Sequence, residues 1–470
     1  MYESVFSYMN FLFEKVDSSK LIVFRIFFGL LIMIECWGAI ATGWVKETFV
    51  DVNFTINFIG FDWTQMLVGE TMYIIYAVMG FLGLLIMLGA FYRTAVIGFF
   101  LLWGLTYFMQ KSHYNNHYYL LMLVSFLMIW MPANKYLSLD VNMNSKLRSY
   151  SAPRWNYLIF QILISCVYIF AAIAKLTPGW LNNHFLPLRL SSSAQWFESK
   201  FGENVFSEFL RNKDLAQFLS LSGIGFDFLI IPLLLFKPTR KIAFAAAVIF
   251  HLFNSITLQI GIFPYFALAL CIFFFENKEI KKMFLPFKSR NVMDERVQIS
   301  QKKKNLVLWF LVIFSIIQIY LPLRHHLIKD DVTWTEEGHR MAWRMMLRSK
   351  NGTGHFVTHL PDGKVVHENL MKHLSIHQLN SVKTKPDMIW QFAQILKQQY
   401  QDKGIDSVKI YYKASKVKIN DGPYFDFIDP NVDLANTKWS YFGHQDWILS
   451  SPSNYYVKPQ KESQASNPTP

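Results

Sequence analysis

Apolar runs long enough to cross a lipid bilayer recur along this chain, separated by short polar segments. The hydrocarbon core of a bilayer takes about 20 predominantly apolar helical residues. By that measure the pattern predicts nine spans, near 21–43, 67–90, 93–111, 117–132, 155–176, 215–236, 241–258, 261–275 and 305–322, of which the fourth and eighth are short. The expected fold is therefore a polytopic α-helical membrane protein over 1–322, followed by a different kind of domain over 323–455. There polar residues dominate. "HFVTHLPDGKVVHE" is two alternating segments around a Pro-Asp-Gly turn, a hairpin signal. "DMIWQFAQILKQQYQDKG" has apolar residues at helical spacing and a closing glycine, and "SVKIYYKASKVKI" alternates as a strand does. These predict a water-facing α+β domain, and roughly 130 residues suffice for a core of its own. The tail 456–470, rich in polar residues and proline, is expected to be disordered.

Composition removes other classes. Of 470 residues, 52% are hydrophobic and 17% charged, too apolar for a soluble enzyme. The first span lacks a small-residue cleavage site and is expected to remain in the mature protein. Cys36, Cys166 and Cys271 all lie within apolar runs, so neither a disulfide framework nor a metal site is expected. The net charge of +13 suggests nucleic acid only superficially, because most of the excess falls in loops between spans, where it sets topology. Loop 276–304 carries Lys278, Lys281, Lys282, Lys288, Arg290, Arg296, Lys302, Lys303 and Lys304; Lys135, Lys146, Arg148 and Arg154 lie in 133–154, and Lys237, Arg240 and Lys241 in 237–241. Nine spans put these loops on the side of the N-terminus. The excess of positive charge in cytoplasmic loops makes that side the cytoplasm and the C-terminal domain extracytoplasmic.

Four polar features stand out against this background. Lys175 closes the apolar run "VYIFAAIAKL" at the outer end of the fifth span. It is either a lysine whose ammonium reaches the headgroups or one retained for chemistry. "SHYNNHYYL" places Asn115, Asn116 and His117 at the outer turn into the fourth span, as part of an aromatic belt or of a site. In "FHLFNSITLQIGIFPY", His251, Asn254 and Ser255 share one helical face, as interhelical polar glue or as ligand contacts. "WTEEGHRMAWRMMLRSK" alternates Arg340, Arg344, Arg348 and Lys350 with Trp343 and two methionines. It reads as an amphipathic helix on the membrane surface, or as an element that recognises anions. Three polar groups on three spans, all in the outer half, would line an apolar cavity suited to a hydrophobic ligand with a polar head. Shelter from water disfavours a charged ammonium, so a lysine lining it is a candidate base.

Together "NNHYYL", "AAIAKL", "FHLFNSITLQIGIFPY", "WTEEGHRMAWRMMLRSK" and "FIDPNVDL" resemble, in order and spacing from about residue 20 to 450, the vitamin K-dependent gamma-glutamyl carboxylase family and its bacterial homologues with an HTTM membrane domain. The resemblance implies a reaction in which reduced vitamin K is deprotonated and reacts with O2. The base so generated takes a proton from the γ-carbon of a glutamyl residue, the carbanion adds CO2, and the quinol ends as its epoxide. It implies that Lys175 is the active-site base, that Asn116 and His117 hydrogen-bond the quinone oxygens, and that His251, with Asn254 and Asn115 nearby, helps bind the cofactor. His339, Trp343, Arg344 and Arg348 would bind the glutamyl substrate. The vertebrate enzyme has two lysines where this chain has Ala174-Lys175, and tyrosine and histidine at the positions of His339 and Arg348. It also has a longer C-terminal region that engages propeptide-bearing substrates.

The implied partners are a glutamate-containing peptide or protein, a quinone and the lipid bilayer, without nucleic acid or metal. In a bacterial inner membrane menaquinol is the natural cofactor candidate. A second reading keeps the quinone but drops carboxylation, leaving a quinone-binding oxidoreductase or sensor. A third, a lipid-binding scaffold or transporter, finds no support in any inverted-repeat pattern.

Overall fold

The structure, a computed structural model, describes residues 9–258, 260–285 and 299–456. Lys288, Arg290 and Arg296 of the basic loop, and the tail beyond Tyr456, lie outside the described residues. The main helices are α1 (Ser19–Ala41), α2 (Thr71–Leu88), α3 (Tyr92–Met109), α4 (Asn116–Trp130), α5 (Trp155–Lys175), α6 (Leu186–Phe201), α7 (Val205–Arg211), α8 (Lys213–Leu235), α9 (Arg240–Leu258), α10 (Phe263–Leu270), α11 (Gln301–Leu323) and α12 (Pro386–Gln401). Every predicted span coincides with one of them. Seven helices among the described residues, α1, α2, α3, α5, α8, α9 and α11 with its extension to Leu327, are long and apolar enough to cross a membrane. The expected short spans appear as α4 and Phe263–Phe274.

The described chain divides into two compact units. One comprises the chain up to Ala174 with Ser222–Leu323 and Arg340–Met345; the other comprises Lys175–Leu221, Arg324–His339 and the chain from Met346 onward. In the first, a closely packed aromatic core joins α1, α5 and the end of the Phe263–Phe274 segment, with Phe160 and Phe273 stacked at 4.5 Å and Phe24 4.8 Å from Phe273. Helices α1 and α2 approach so closely that a Cβ on Gly29 would stand 2.6 Å from the Gly83 carbonyl oxygen. Small residues at such crossings allow the backbone-to-backbone packing on which membrane helices rely. A buried cation, Arg25, is satisfied by loop carbonyls, donating to Leu137 at 2.5 Å and Ala133 at 3.3 Å. Asp140 accepts from the Phe91 and Tyr92 amides at 2.7 and 3.1 Å, which satisfies otherwise orphaned donors at the start of α3. A two-stranded ribbon of β1 (Lys15–Asp17) and β2 (Ser151–Pro153) completes this unit.

The second unit is built on an antiparallel sheet of β3 (Lys350–His359), β4 (Val365–His367), β5 (Lys409–Ile419) and β6 (Phe425–Asp426), in the order β4-β3-β5-β6. The Pro-Asp-Gly hairpin forms as predicted, pairing Val357 with His367, and β5 lies on the other side with Tyr411 opposite Val357. Alternation along β5 buries Ile410, Tyr412, Val417 and Ile419. Helix α12 sets Met388, Ile389, Phe392 and Leu396 into the same core, where Phe356 lies 5.1 Å from Phe392 and 4.6 Å from Tyr412. The stretch between the fifth and sixth spans, for which the hydrophobic pattern predicts no element, folds as α6 and α7. Proline near the start of α6 and a capping box at Asn204 and Ser207 define their first turns.

The surface helix expected over 334–350 does not form. Only Val332–Thr335 is helical, and φ is positive at Glu336, Gly338, Met341, Trp343 and Met346. Left-handed backbone at four residues that bear a Cβ is incompatible with a helix and persists only where surrounding contacts hold it.

Candidate functional site

In the membrane unit, the turn into α4 is organised by its asparagines. Asn115 is the N-cap, its Oδ1 accepting from the Tyr118 amide at 2.7 Å, so its side chain serves the helix. The buried Asn116 accepts from the Tyr114 hydroxyl at 2.9 Å and donates to the Arg344 carbonyl at 3.2 Å. The Met341 amide donates to that same tyrosine oxygen at 2.5 Å. These bonds fasten Arg340–Met345 to the start of α4. They also account for its backbone: Trp343 is fully buried with its ring 5.1 Å from that of Tyr119, and Arg344 is buried beside it.

Next to this strap, α4, α9 and α10 bring two histidines to one phenylalanine. The rings of His117 and His251 each lie 5.9 Å from that of Phe263. His251 is 1% exposed, its Nε2 lies 2.7 Å from the Tyr168 hydroxyl, and its Nδ1 has no hydrogen-bond partner among the described residues. Asn254 stands one turn beyond it on α9, half-buried. The set offers aromatic faces, imidazole nitrogens and an amide within a greasy surround, which fits a planar ring bearing polar oxygens.

In the second unit, Lys175 is the last residue of α5, where a cation complements the carbonyl end of the helix. Its side chain does not extend into solvent. It is 8% exposed, with Nζ 5.5 Å from the ring of Trp180, whose indole donates to the Ser220 carbonyl at 3.1 Å. Two other predicted residues gather around Glu336. Arg348 grips that carboxylate with Nε and Nη2, the Nε to Oε1 distance being 3.0 Å, and Lys350 adds a second cation at 3.6 Å. The His339 amide donates to the Glu336 carbonyl at 3.3 Å. Burial by itself would raise the Glu336 pKa, but Arg348, Lys350 and His339 outweigh it and hold the carboxyl far below its usual range. Burial pushes Lys350 down to about 7, against the opposing pull of Glu336. Thus the four residues expected to hold substrate divide, Trp343 and Arg344 in the membrane unit, His339 and Arg348 in the other.

Several polar residues here have no place in the sequence reading. Tyr168 is the partner of His251, and the buried Asp227 of α8 lies within electrostatic range of it. Glu35 lies near Tyr118, which lines a cavity with Trp44, Tyr76, Trp103, Tyr107 and His113. The signal for Glu35 and Asp227 was available, since a carboxylate inside an apolar span marks a functional candidate. None was available for Tyr168, because tyrosine is common at membrane boundaries.

Two family models match the chain. An HTTM domain covers residues 13–278, and the lumenal domain of vitamin K-dependent gamma-carboxylase covers residues 303–454. No solved structure matches the chain.

Proposed function

Because this chain belongs to the vitamin K-dependent gamma-carboxylase family, we propose that it is an integral-membrane enzyme adding CO2 to the γ-carbon of glutamyl residues, coupled to oxidation of a vitamin K-type hydroquinone by O2. The observation that best supports the reading is the pair of imidazoles, one on α4 and one on α9, that meet Phe263, with the His251 Nδ1 lacking a partner among the described residues. That arrangement suits a hydroquinone ring and its oxygens, whether from vitamin K or menaquinol. When bound, the hydroquinone supplies, with O2, a base stronger than any side chain.

The chain's own residues bind, orient and move the first proton. Lys175 would accept the first proton at Nζ, while Asn116, His117, His251 and Asn254 would hold the hydroquinone oxygens. The apolar surround excludes water, which would quench a carbanion. Trp343 and Arg344 hold the glutamyl side chain, the arginine through its carboxylate, with His339 and Arg348 supporting the peptide. The N-terminus is cytoplasmic and the sheet-bearing unit extracytoplasmic, in a bacterial inner membrane.

One observation favours the narrower reading of a quinone-binding oxidoreductase or sensor: the Arg348 guanidinium is already occupied by Glu336. The test is purified protein with reduced vitamin K, labelled bicarbonate and a glutamate-containing peptide. Wild type should incorporate label, and Lys175→Ala should lose at least about a hundredfold, the usual worth of a general base. Lys175→Arg should fail as well, because a guanidinium stays protonated. Full activity in that variant removes Lys175 from the role of base. Epoxide without incorporated label selects the narrower reading.

A further inference from the structure

Tyr168 on α5 and His251 on α9 form a buried polar pair within the membrane unit, with Asp227 of α8 in electrostatic range of the phenol. The phenolic oxygen lies 2.7 Å from Nε2, and the two residues are 3% and 1% exposed. Phe226, Phe250 and Phe263 surround the imidazole. Among the described residues the Tyr168 hydroxyl has no second hydrogen-bond partner and Nδ1 has none.

Two proton arrangements fit the contact, and they differ in what they leave unsatisfied. If Nε2 carries the proton and donates to the phenol oxygen, the hydroxyl proton and the Nδ1 lone pair are both orphaned. If the hydroxyl donates to the Nε2 lone pair, the ring proton sits on Nδ1 and only that N–H is left over. Each unmade hydrogen bond in a dry interior carries a desolvation penalty, so the second arrangement is preferred. One buried N–H then remains without an acceptor in the protein, and such a group calls for an explanation.

We infer that Tyr168 fixes His251 as the Nδ1–H tautomer and that this N–H donates to a ring oxygen of the bound quinone. The inference rests on the function proposed above for the ligand's identity, whereas the tautomer follows from the contact alone. Tyr168 is thus a positioning residue, acting through His251. A neutral N–H donor favours an oxygen bearing negative charge over a hydroxyl, so the pair also assists ionisation of a hydroquinone.

The test uses full-length protein in lipid nanodiscs with 15N-labelled histidine, the His251 resonances being identified by their loss in His251→Ala. Wild type should show a protonated Nδ1 and a bare Nε2; a protonated Nε2 overturns the assignment whatever binding shows. Affinity for reduced menadione, measured without oxygen, should fall roughly tenfold in Tyr168→Phe, the worth of about one neutral hydrogen bond. It should fall no further when Tyr168→Phe is added to His251→Ala. Wild type that binds reduced menadione with an affinity indifferent to Tyr168→Phe, or losses that simply add in the double variant, would defeat the inference. Wild type that binds no reduced menadione defeats instead the proposed function and the acceptor drawn from it, leaving the tautomer to the NMR result.

Discussion

At Glu336, two cations share one carboxylate. Arg348 takes both oxygens and Lys350 stands at 3.6 Å, each buried in the sheet-bearing unit. One positive charge is therefore in surplus, and Lys350, whose proton can leave, is the group that yields. Free in an unfolded chain, a lysine titrates near 10.4; here burial brings Lys350 to about 7. The unfolded chain accordingly binds more protons between these values, and stability rises with pH across that window. Thermal unfolding followed by tryptophan fluorescence should give a higher midpoint at pH 9 than at pH 7 in wild type. Lys350→Met should flatten that slope, and a slope that persists in the variant would show that another group carries it. Glu336→Gln, which leaves the Arg348 guanidinium buried without its carboxylate, should destabilise this unit by about 3–5 kcal/mol.

Among the helices, α1 and α2 approach closely at Gly29 and Gly83. A Cβ on Gly83 would stand 2.7 Å from Ile32 Cγ2, 2.8 Å from the Met33 amide nitrogen and 3.0 Å from the Gly29 carbonyl oxygen, so moving a side chain alone would not make room and backbone would have to give. Gly83→Leu should lower the unfolding temperature in detergent well below that of a lipid-facing control such as Ile74→Leu, Ile74 being 66% exposed. Retained stability in Gly83→Leu would mean that the two helices separate at little cost. This scale also shows what the hydrophobic pattern reveals and what it hides. The spans are legible because each needs many consecutive apolar residues. The hairpin around Pro361-Asp362-Gly363 is legible because turn chemistry is local. The strap Arg340–Met345 is not, since Met341 and Trp343 are no natural candidates for positive φ. Bonds to Tyr114 and Asn116, more than two hundred positions away, impose that backbone. For the same reason His117 and His251 stood out from the sequence as polar residues in apolar runs, whereas Tyr168 gained meaning only when α5 met α9.

For the molecule as a whole, the uneven placement of lysine and arginine yields a testable orientation. Alkaline phosphatase, which requires an oxidising compartment, should be active when fused after Tyr456 and inactive when inserted into the loop 276–304. The reverse result would invert the proposed orientation and place the residues proposed to bind the glutamyl group in the cytoplasm. The order in which the chain visits its two units has a separate consequence. It changes unit after Ala174, Leu221, Leu323, His339 and Met345, so neither unit is one uninterrupted stretch of gene. A fragment starting at residue 303 would hold two of the three pieces of the sheet-bearing unit and lack Lys175–Leu221. Exchanging that half between relatives as a cassette would separate residues that fold together, so chimeras need at least three junctions, with Lys175–Leu221 travelling alongside the C-terminal portion.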